Sequence, residues 1–349
     1  MTEIDIRSLP KVDLHDHLDG GLRPATLLEL GDGVIALPAT DVPGIVDWMH
    51  QGTAGSLERY LEAFHFTVAV MQTQAAIERI AYESAADLAG DRVAYAEIRF
   101  APMLATRQGL SIAQVLEATQ AGLSAARRDY GIETGIIVDA MRQDDDSLRV
   151  VEESAGLPGV VGFDLAGPER GYPPELHLAA CRRALKEGLG LTIHAGEDDG
   201  PDSVRRAIEL CGAQRIGHGV RIIEDCEVEE GTIVAMGPVA TAVHGGRIPL
   251  EVCPTSNLHT MQITARQHPV GLLHRAGFVV TISPDNRLMS STDVSTEFEL
   301  LVAYQDFAVD DLAKVTHYGI NAGFGPEGSL QALWAERLAP AYRAAGASI

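Results

Sequence analysis

The amino-acid sequence predicts a protein of the α/β class folded as a (β/α)8 TIM barrel, and three features of the 349-residue chain support this prediction. Short apolar, β-branched runs alternate with segments of helical length, which is typical of parallel pairing between successive strands. Eight such runs occur, the number that closes a barrel. The runs are too apolar to face water on either side, which favours strands covered by helices all round over an open sheet.

The eight candidate strands are short runs rich in aliphatic and β-branched residues. In chain order they are KVDLHDH near residue 11, RVAYAEIRF near 92, ETGIIVDAM near 133, VVGFDLAG near 160, LGLTIHAG near 189, RIGHGV near 215, IPLEVCP near 248 and FVVTISPD near 278. No G-x-G-x-x-G motif opens the first unit, so a dinucleotide-binding sheet is not indicated.

Helical segments fill the intervals between these runs. SIAQVLEATQAGLSAARRDYG and LHLAACRRALKEG carry apolar residues at spacings of three and four and end at glycine, as amphipathic helices do. The interval between the first two strands, about residues 20 to 90, is far longer than a usual connection and predicts extra helices that could cover the barrel mouth. The chain after about residue 305 is also predicted to be helical. No repeat or linker divides the sequence, which predicts a single domain over residues 1–349.

Composition limits the classes of partner. Acidic residues outnumber basic ones 49 to 27, and the formal charge of −22 would repel nucleic acids and anionic membranes. No secretory signal or membrane-spanning segment is recognisable, so we expect a cytoplasmic protein. The cysteines are far apart and form no C-x-x-C pair, which predicts reduced thiols and argues against a cysteine zinc site or a disulfide framework; they are Cys181, Cys211, Cys226 and Cys253.

Polar residues at the carboxyl ends of the predicted strands indicate a metal site, because that end of a barrel carries the active site. His15 and His17 alternate along one strand, so both imidazoles point to the same side. Alone, this pair has the simpler interpretation of two hydrogen-bonded histidines. His194 and Asp285 at two further strand ends complete three imidazoles and one carboxylate, a set that suits one zinc ion per chain and leaves room for water. Iron or cobalt could substitute.

Two further residues near this set are predicted to be catalytic. Glu197 lies just beyond the strand that ends at His194, and we assign it proton transfer; the alternative is a carboxylate that accepts from the first backbone N–H groups of a helix. His218, between Gly217 and Gly219, is predicted to be a fourth ligand or to act on the attacking water. The alternative, a buried structural histidine, fits less well beside two glycines that permit close backbone approach.

With these residues in place, the sequence resembles the adenosine deaminase family, a branch of the amidohydrolase barrels, and its bacterial members in particular. Seven motifs in order carry the resemblance across nearly the whole chain: LPKVDLHDHLDGG at 9–21, YAEIRFAP at 95–102, DLAG at 164–167, HAGE at 194–197, GHG at 217–219, CPTSN at 253–257 and SPDN at 283–286.

The resemblance implies that His15, His17, His194 and Asp285 hold the zinc. It further implies that Glu197 acts on the purine N1 and that His218 orients and helps to deprotonate the attacking water.

The resemblance also implies residues that contact substrate. The Gly167 N–H would donate to the purine N3, and Asp19 would bind a ribose hydroxyl. Asn286 stands where many members carry a second aspartate that meets N7, and its amide can donate at any pH. Pro284 replaces a usual threonine and removes an N–H before the metal ligand. A helix over the mouth would wall an apolar pocket, although such a stripe is more often plain core; its residues are Leu57, Tyr60, Leu61 and Phe64.

The implied activity is hydrolytic deamination of adenosine, and of 2′-deoxyadenosine, to inosine and ammonia in purine salvage. The partners are then a small aminopurine nucleoside and water, with the oligomeric state left open. Alternatives are a deaminase of free adenine or of a modified adenosine-like nucleoside, and a catalytically silent binding barrel. The fourth strand ends in DLAG without the lysine that bridges two metals in other amidohydrolases, and the chain lacks the cysteine-rich zinc motif of polynucleotide deaminases.

Overall fold

The computed structural model describes residues 5–349, and its strands form one parallel barrel and one small hairpin. The strands are β1 (Lys11–His17), β2 (Val93–Phe100), β3 (Glu133–Met141), β4 (Val160–Ala166), β5 (Gly190–Ala195), β6 (Arg215–His218), β7 (Cys226–Glu229), β8 (Thr232–Met236), β9 (Leu250–Val252) and β10 (Val280–Ile282). All eight strands predicted from apolar runs are present.

The barrel strands follow the order β1-β2-β3-β4-β5-β6-β9-β10, and every neighbouring pair is parallel. A parallel bridge between Asp16 and Asp285 brings the last strand back to the first. There the His17 N–H donates to the Asp285 carbonyl over 2.9 Å, and the Asp285 N–H donates to the His15 carbonyl over 3.1 Å. The predicted (β/α)8 barrel is thus confirmed, and its closure joins the backbone of three predicted metal ligands.

Helices surround the barrel. They are α1 (Pro24–Gly31), α2 (Val42–Met49), α3 (Leu57–Leu61), α4 (Phe64–Val70), α5 (Gln74–Gly90), α6 (Ile112–Tyr130), α7 (Ser147–Ser154), α8 (Leu178–Lys186), α9 (Pro201–Glu209), α10 (Pro238–Gly245), α11 (Pro254–Met261), α12 (Val270–Arg275), α13 (Arg287–Ser290), α14 (Val294–Tyr304), α15 (Val309–Ala322), α16 (Glu327–Leu333) and α17 (Ala339–Ala344). A π-helical turn, Trp334–Leu338, joins the last two.

The sequence explains where these helices begin and end. In α6 the Ser111 hydroxyl accepts from the Gln114 N–H while the Gln114 side chain accepts from the Ser111 N–H, and Gly131 ends the helix in the left-handed region at φ 71°. The long insert between β1 and β2 holds α1 to α5, so the predicted extra helices are confirmed. The predicted helical tail is confirmed by α15 to α17.

The antiparallel hairpin of β7 and β8 is an element that the apolar pattern did not predict. It lies outside the barrel and is largely exposed, so its strands lack a continuous apolar run. Its turn residues Glu230 and Gly231 have φ of 47° and 76°, the two positive values that a tight hairpin turn requires. Within residues 5–349, no helix is both long and apolar enough to cross a membrane.

Candidate active site

Three imidazoles and one carboxylate converge at the carboxyl end of the barrel. The His17 Nε2 atom lies 3.3 Å from His194 Nε2 and 3.4 Å from the Asp285 Oδ1 atom. The His15 Nε2 atom lies 3.6 Å from the same oxygen. His15 and His17 come from β1, His194 from β5, and Asp285 directly follows β10, so the structure brings together the four predicted ligands.

This arrangement fits a metal ion better than it fits a self-contained polar cluster. His15 Nε2 is buried and has no hydrogen-bond partner within residues 5–349, a costly state unless a ligand satisfies it. Burial lowers the pKa of His15 and of His17 well below its usual value, so both rings are neutral and able to coordinate. Three imidazoles and a carboxylate are donors that zinc accepts readily.

A carboxylate lies behind each of the three imidazoles, on the side away from the converging Nε2 atoms. The His15 Nδ1 atom is 2.8 Å from Glu251 Oε2, and His194 Nδ1 is 2.7 Å from Asp164 Oδ2. His17 Nδ1 has Asp139 at 3.6 Å and Asp19 at 3.9 Å. Such carboxylates fix the tautomer and direction of a metal-binding ring, here with Nε2 toward the centre.

Buried arginines hold two of these carboxylates, Glu251 and Asp164, ionised. Arg99 donates to Asp164 over 2.8 Å and to Glu251 over 2.7 Å, and Arg215 donates to Glu251 over 2.6 Å. Burial by itself raises the pKa of Glu251, but the two guanidinium groups outweigh this effect and lower the pKa to about 2. Burial is likewise outweighed at Asp164, whose pKa is held below its usual range by His194 and Arg99. The orientation of His15 and His194 therefore rests on charged partners.

Glu197 lies in the loop between β5 and α9 with its carboxyl buried. Burial raises the pKa of Glu197 well above its usual value, with a further contribution from the charge of Asp285. The loop is held by Glu169, whose carboxylate accepts the N–H groups of four successive residues, Gly196 to Asp199, over 2.7 to 3.1 Å. These loop N–H groups are thus occupied by Glu169, and α9 begins only at Pro201, so Glu197 does not lie in the first turn of that helix.

His218 ends β6 and faces Glu197, its Nε2 atom 3.5 Å from Glu197 Oε2. Its backbone adopts φ 60° and Gly219 follows at φ 67°, so the chain turns sharply at the strand end. A Cβ at position 217 would lie 3.1 Å from the His194 Cα and 3.2 Å from the His15 ring, so glycine there lets β6 approach the metal ligands. Burial lowers the pKa of His218 well below its usual value.

A cavity of about 230 Å³ opens over this cluster. Its wall contains every predicted site residue except His15, which is fully buried beside it. Gly167 has φ 94°, and a Cβ there would lie 2.8 Å from the Gln143 side chain, so both its backbone and its surroundings require glycine. The apolar side is built by the predicted residues of α3 and α4: Leu57, Tyr60, Leu61 and Phe64.

Asn286 packs against the backbone of Gly20, where a Cβ would lie 2.7 Å from the Asn286 Cγ atom. Asp19 also lines the cavity, and its Oδ1 atom is buried without a hydrogen-bond partner within residues 5–349. Tyr60, predicted only as part of an apolar wall, also makes a polar contact. Its hydroxyl lies 2.8 Å from the Ser290 hydroxyl.

Sequence reasoning missed the residues that support the predicted ones. They are Asp139, Asp164 and Glu251 behind the histidines, Glu169 at the loop, Ser256, whose hydroxyl donates to Asp285 over 2.6 Å, and Asn257 beside His218. A usable signal existed for three of them, because an acidic residue inside an apolar strand run must have a buried partner. The GIIVDAM, GFDLAG and PLEVCP runs each carry one.

Comparison with known proteins agrees with this geometry. The family model described as adenosine deaminase matches residues 10–338. Adenosine deaminase 1 of Streptomyces coelicolor is 45% identical over 97% of this chain and 88% of its own length, and the adenosine deaminase of Mycobacterium leprae is 44% identical over 97% and 96%. The crystal structure of an adenine deaminase from Arthrobacter aurescens superposes with a TM-score of 0.87 at 24% identity, covering 97% of this chain and 100% of its own.

The structural likeness to the Arthrobacter protein establishes the barrel fold, and the sequence likeness to the two curated relatives extends over nearly the whole chain. Six of the seven motifs that carry the resemblance contribute residues to the cavity wall. The seventh, CPTSN, lies behind the wall, where Ser256 bonds Asp285 and Asn257 bonds His218. This chain therefore belongs to the adenosine deaminase family.

Proposed function

We propose that this protein catalyses the zinc-dependent hydrolytic deamination of adenosine, and of 2′-deoxyadenosine, to inosine and ammonia. The observation that carries the proposal is the buried carboxyl of Glu197, which shares one cavity with the histidine and aspartate cluster and whose pKa burial raises above its usual value. A carboxyl with a raised pKa beside a metal site suits protonation of a purine ring nitrogen. Curated relatives at 44 to 45% identity named adenosine deaminase support it.

His15, His17, His194 and Asp285 would hold the zinc. Bound there, zinc would supply Lewis acidity and lower the pKa of water toward neutrality. The protein contributes a rigid set of donors, because the buried carboxylates and arginines fix each imidazole before any ion binds. One ion suffices for this donor set.

The remaining residues act on the purine. Glu197 donates its proton to N1, which withdraws electrons from C6 and favours attack by water at that carbon. The Gly167 N–H donates to N3, and the Asn286 amide donates to N7. His218 contacts the oxygen that becomes bound to C6 and stabilises its developing charge. The carboxylate left on Glu197 takes one proton from the attacking water, and the second proton of the water passes to the amino group on C6. Ammonia then leaves, and the protein holds inosine with Glu197 protonated again.

The cavity also indicates the class of substrate. Asp19 presents a buried oxygen that has no hydrogen-bond partner among residues 5–349, which suits a sugar hydroxyl and favours a nucleoside over a free base. The residues that line the cavity, all within the described part of the chain, include no lysine or arginine to neutralise a phosphate. The second candidate is deamination of adenine or of a modified adenosine, favoured by the likeness in fold to an adenine deaminase. We infer one catalytic domain over residues 1–349.

The test is a panel of adenosine, 2′-deoxyadenosine, adenine and N6-substituted adenosines, offered to purified protein whose metal content has been measured. Ammonia release and the ultraviolet change from adenosine to inosine report turnover. Adenosine should be turned over with a higher kcat/KM than adenine. If adenine or a modified nucleoside is turned over with a higher kcat/KM than adenosine, that compound is the substrate in place of adenosine. If zinc-loaded protein turns over none of the compounds, the protein is a catalytically silent binding barrel.

A Glu197→Gln variant tests the residue that carries the proposal. It should keep its zinc but lose about 10² to 10⁴ in kcat, the usual contribution of a general acid. Glu187→Gln, on the surface where Glu187 pairs with Arg183 over 2.8 Å, is the matched control and should leave kcat unchanged. Turnover by zinc-loaded Glu197→Gln near the wild-type rate would refute the assignment.

A further inference from the structure

A chain of buried hydrogen bonds leads from the backbone to His218. The Val270 N–H donates to His268 Nδ1 over 3.1 Å. His268 Nε2 lies 3.3 Å from the Asn257 Oδ1 atom, and the Asn257 Nδ2 atom lies 3.2 Å from His218 Nδ1. The exposed fractions of His268, Asn257 and His218 are 2%, 0% and 1%, so water does not compete for these bonds.

The direction of every bond follows from its first donor. A backbone N–H can only donate, so His268 Nδ1 must present a lone pair to Val270. Burial lowers the pKa of His268 to about 3, so its ring is neutral and its single proton lies on Nε2. That N–H donates to the Asn257 carbonyl oxygen, which leaves the Asn257 amide NH₂ to face His218.

The same logic fixes the proton of His218. An amide NH₂ only donates, so His218 Nδ1 accepts the hydrogen bond and a neutral His218 carries its proton on Nε2. This is the nitrogen that faces Glu197 Oε2 at 3.5 Å and the cavity. A ring that already holds a proton on Nε2 offers no lone pair there for another.

We propose that Asn257 and His268 are positioning residues that hold His218 in its Nε2–H tautomer, so that His218 donates a hydrogen bond to the oxygen that attacks C6 and does not remove its proton. This inference rests on the proposed deamination for its catalytic consequence. It replaces the base role that the family resemblance implies for His218 with that of a donor.

The placement of the three residues supports a dedicated relay. Asn257 lies in α11, which directly follows β9, and its own N–H donates to the Cys253 carbonyl over 2.9 Å. His268 precedes α12, and the Val270 amide that fixes its tautomer begins that helix. Residues at the starts of α11 and α12, both of which follow β9, thus orient the His218 side chain at the end of the neighbouring strand β6.

The direct test is the tautomer of His218 in the zinc-loaded wild-type protein, read from the ¹⁵N chemical shifts of labelled histidine. The His218 signal is assigned by its absence in His218→Gln. A protonated Nε2 and an unprotonated Nδ1 support the proposal, and a protonated Nδ1 overturns it. This readout does not depend on turnover, so it is separable from failure of the proposed function.

The catalytic consequence is tested with Asn257→Asp, which keeps the shape but gives an ionised carboxylate that only accepts hydrogen bonds. His218 must then place its proton on Nδ1 to bond it. We expect kcat to fall by about 10² to 10⁴, the scale seen when a serine protease histidine is held in the wrong tautomer. KM should change less than about threefold, because the lost donor acts in the transition state.

A protonated carboxyl can donate as the amide does, so the loss in Asn257→Asp should grow as pH rises and the introduced group ionises. A purely structural defect would lower kcat equally at every pH, and that result, or wild-type kcat across the whole pH range, overturns the proposal.

His268→Phe removes the donor to Asn257 and frees the amide to rotate. It should lower kcat about 2- to 10-fold, the net value of one hydrogen bond. His274→Phe is the matched control, because His274 is a buried histidine of the neighbouring helix that bonds Asp311 over 2.8 Å, away from the cavity. Equal losses of kcat in the two variants would overturn the relay.

Discussion

Replacing Glu169 by glutamine should slow deamination without removing the metal, because this carboxylate ties together the two loops that hold the purine. Glu169 follows the Gly167 donor in sequence, and its oxygens bind the loop that carries Glu197. Oε1 accepts the Gly196 N–H over 2.7 Å, and Oε2 accepts three more N–H groups over 2.8 to 3.1 Å. The side chain is only 3% exposed, so these bonds are hardly shared with water.

The size of the effect follows from these four bonds. A hydrogen bond to a charged group contributes about 1.5 to 3 kcal/mol, and one to a neutral group about 0.5 to 1.5 kcal/mol. The amide of glutamine can keep three bonds on its oxygen but turns an NH₂ toward the Gly196 N–H. At the middle of each range, one bond lost and three weakened come to about 6 kcal/mol of local destabilisation. A displacement of Glu197 by about 1 Å would lower kcat about 10²-fold.

The pH profile should change in a defined direction. Burial, Asp285 and then Glu169 raise the pKa of Glu197, so removing the Glu169 charge lowers it. Because Glu197 acts as an acid, activity is present below its pKa and lost above it. The alkaline fall in kcat/KM should therefore move to lower pH in Glu169→Gln.

The assay is steady-state turnover of adenosine across pH, with zinc content measured on the same samples. Glu187→Gln serves again as the surface control. A zinc-loaded Glu169→Gln protein with kcat within about twofold of the wild type would refute the reasoning, because a loss of at least 10-fold is expected from the displaced acid. Loss of zinc together with activity would also refute it, since Glu169 contacts no predicted metal ligand through its side chain.

Two further outcomes are expected. The pKa of His268 is about 3 in the folded protein and 6.5 in the unfolded chain. The neutral ring of His268 therefore contributes its full share to the free energy of unfolding above pH 6.5, and this share declines as pH falls toward 3. The difference in free energy of unfolding between the wild type and His268→Phe, measured with urea, should therefore shrink by about 2 kcal/mol between about pH 6.5 and 5. A difference that stays constant over this range would contradict a neutral His268 ring. Gly20→Ala places a Cβ 2.9 Å from the Asn286 Cβ atom and should displace the amide. The kcat/KM for adenosine should drop about 2- to 10-fold at unchanged zinc content. With 7-deazaadenosine, which lacks N7, both proteins should perform alike, and an equal loss there would exclude Asn286 as the N7 donor.

The barrel could be predicted from sequence because its strands are buried on both faces. A continuous apolar run such as GIIV in β3 must be buried on both faces in the folded chain. Eight such runs separated by helical segments are compatible with few strand topologies. The β7–β8 hairpin was not predicted because its residues are mostly exposed and its two strands pair only with each other. Its one local signal, Glu230-Gly231 between short alternating segments, is common in loops of many kinds.

The predicted metal ligands and Glu197 come together because each lies near the carboxyl end of a strand or shortly after it, and parallel strands bring their carboxyl ends to one face of a barrel. Their supporting residues could not be assigned in the same way. Glu251 and Asp164 lie within strands, and the sequence shows that they need partners without showing which ones. Arg99 joins both because its buried side chain reaches Asp164 on β4 and Glu251 on β9, two strands that are not neighbours of β2 in the barrel. Such a relation requires the three-dimensional structure.

The Ser283-Pro284-Asp285 segment shows how the structure accommodates a local departure from the family pattern. Asp285 has φ 65°, a strained value for a residue with a Cβ that costs on the order of 1 kcal/mol or more. Pro284 has no N–H, yet the Ser283 N–H donates to Val252 over 3.0 Å and the Asp285 N–H donates to His15, so the backbone is held on both sides of the proline. Proline also narrows the conformations of the unfolded segment, which offsets part of the strain. The carboxylate of Asp285, a predicted metal ligand, is held by the Ser256 hydroxyl, so a threonine at position 284 is not needed to hold it.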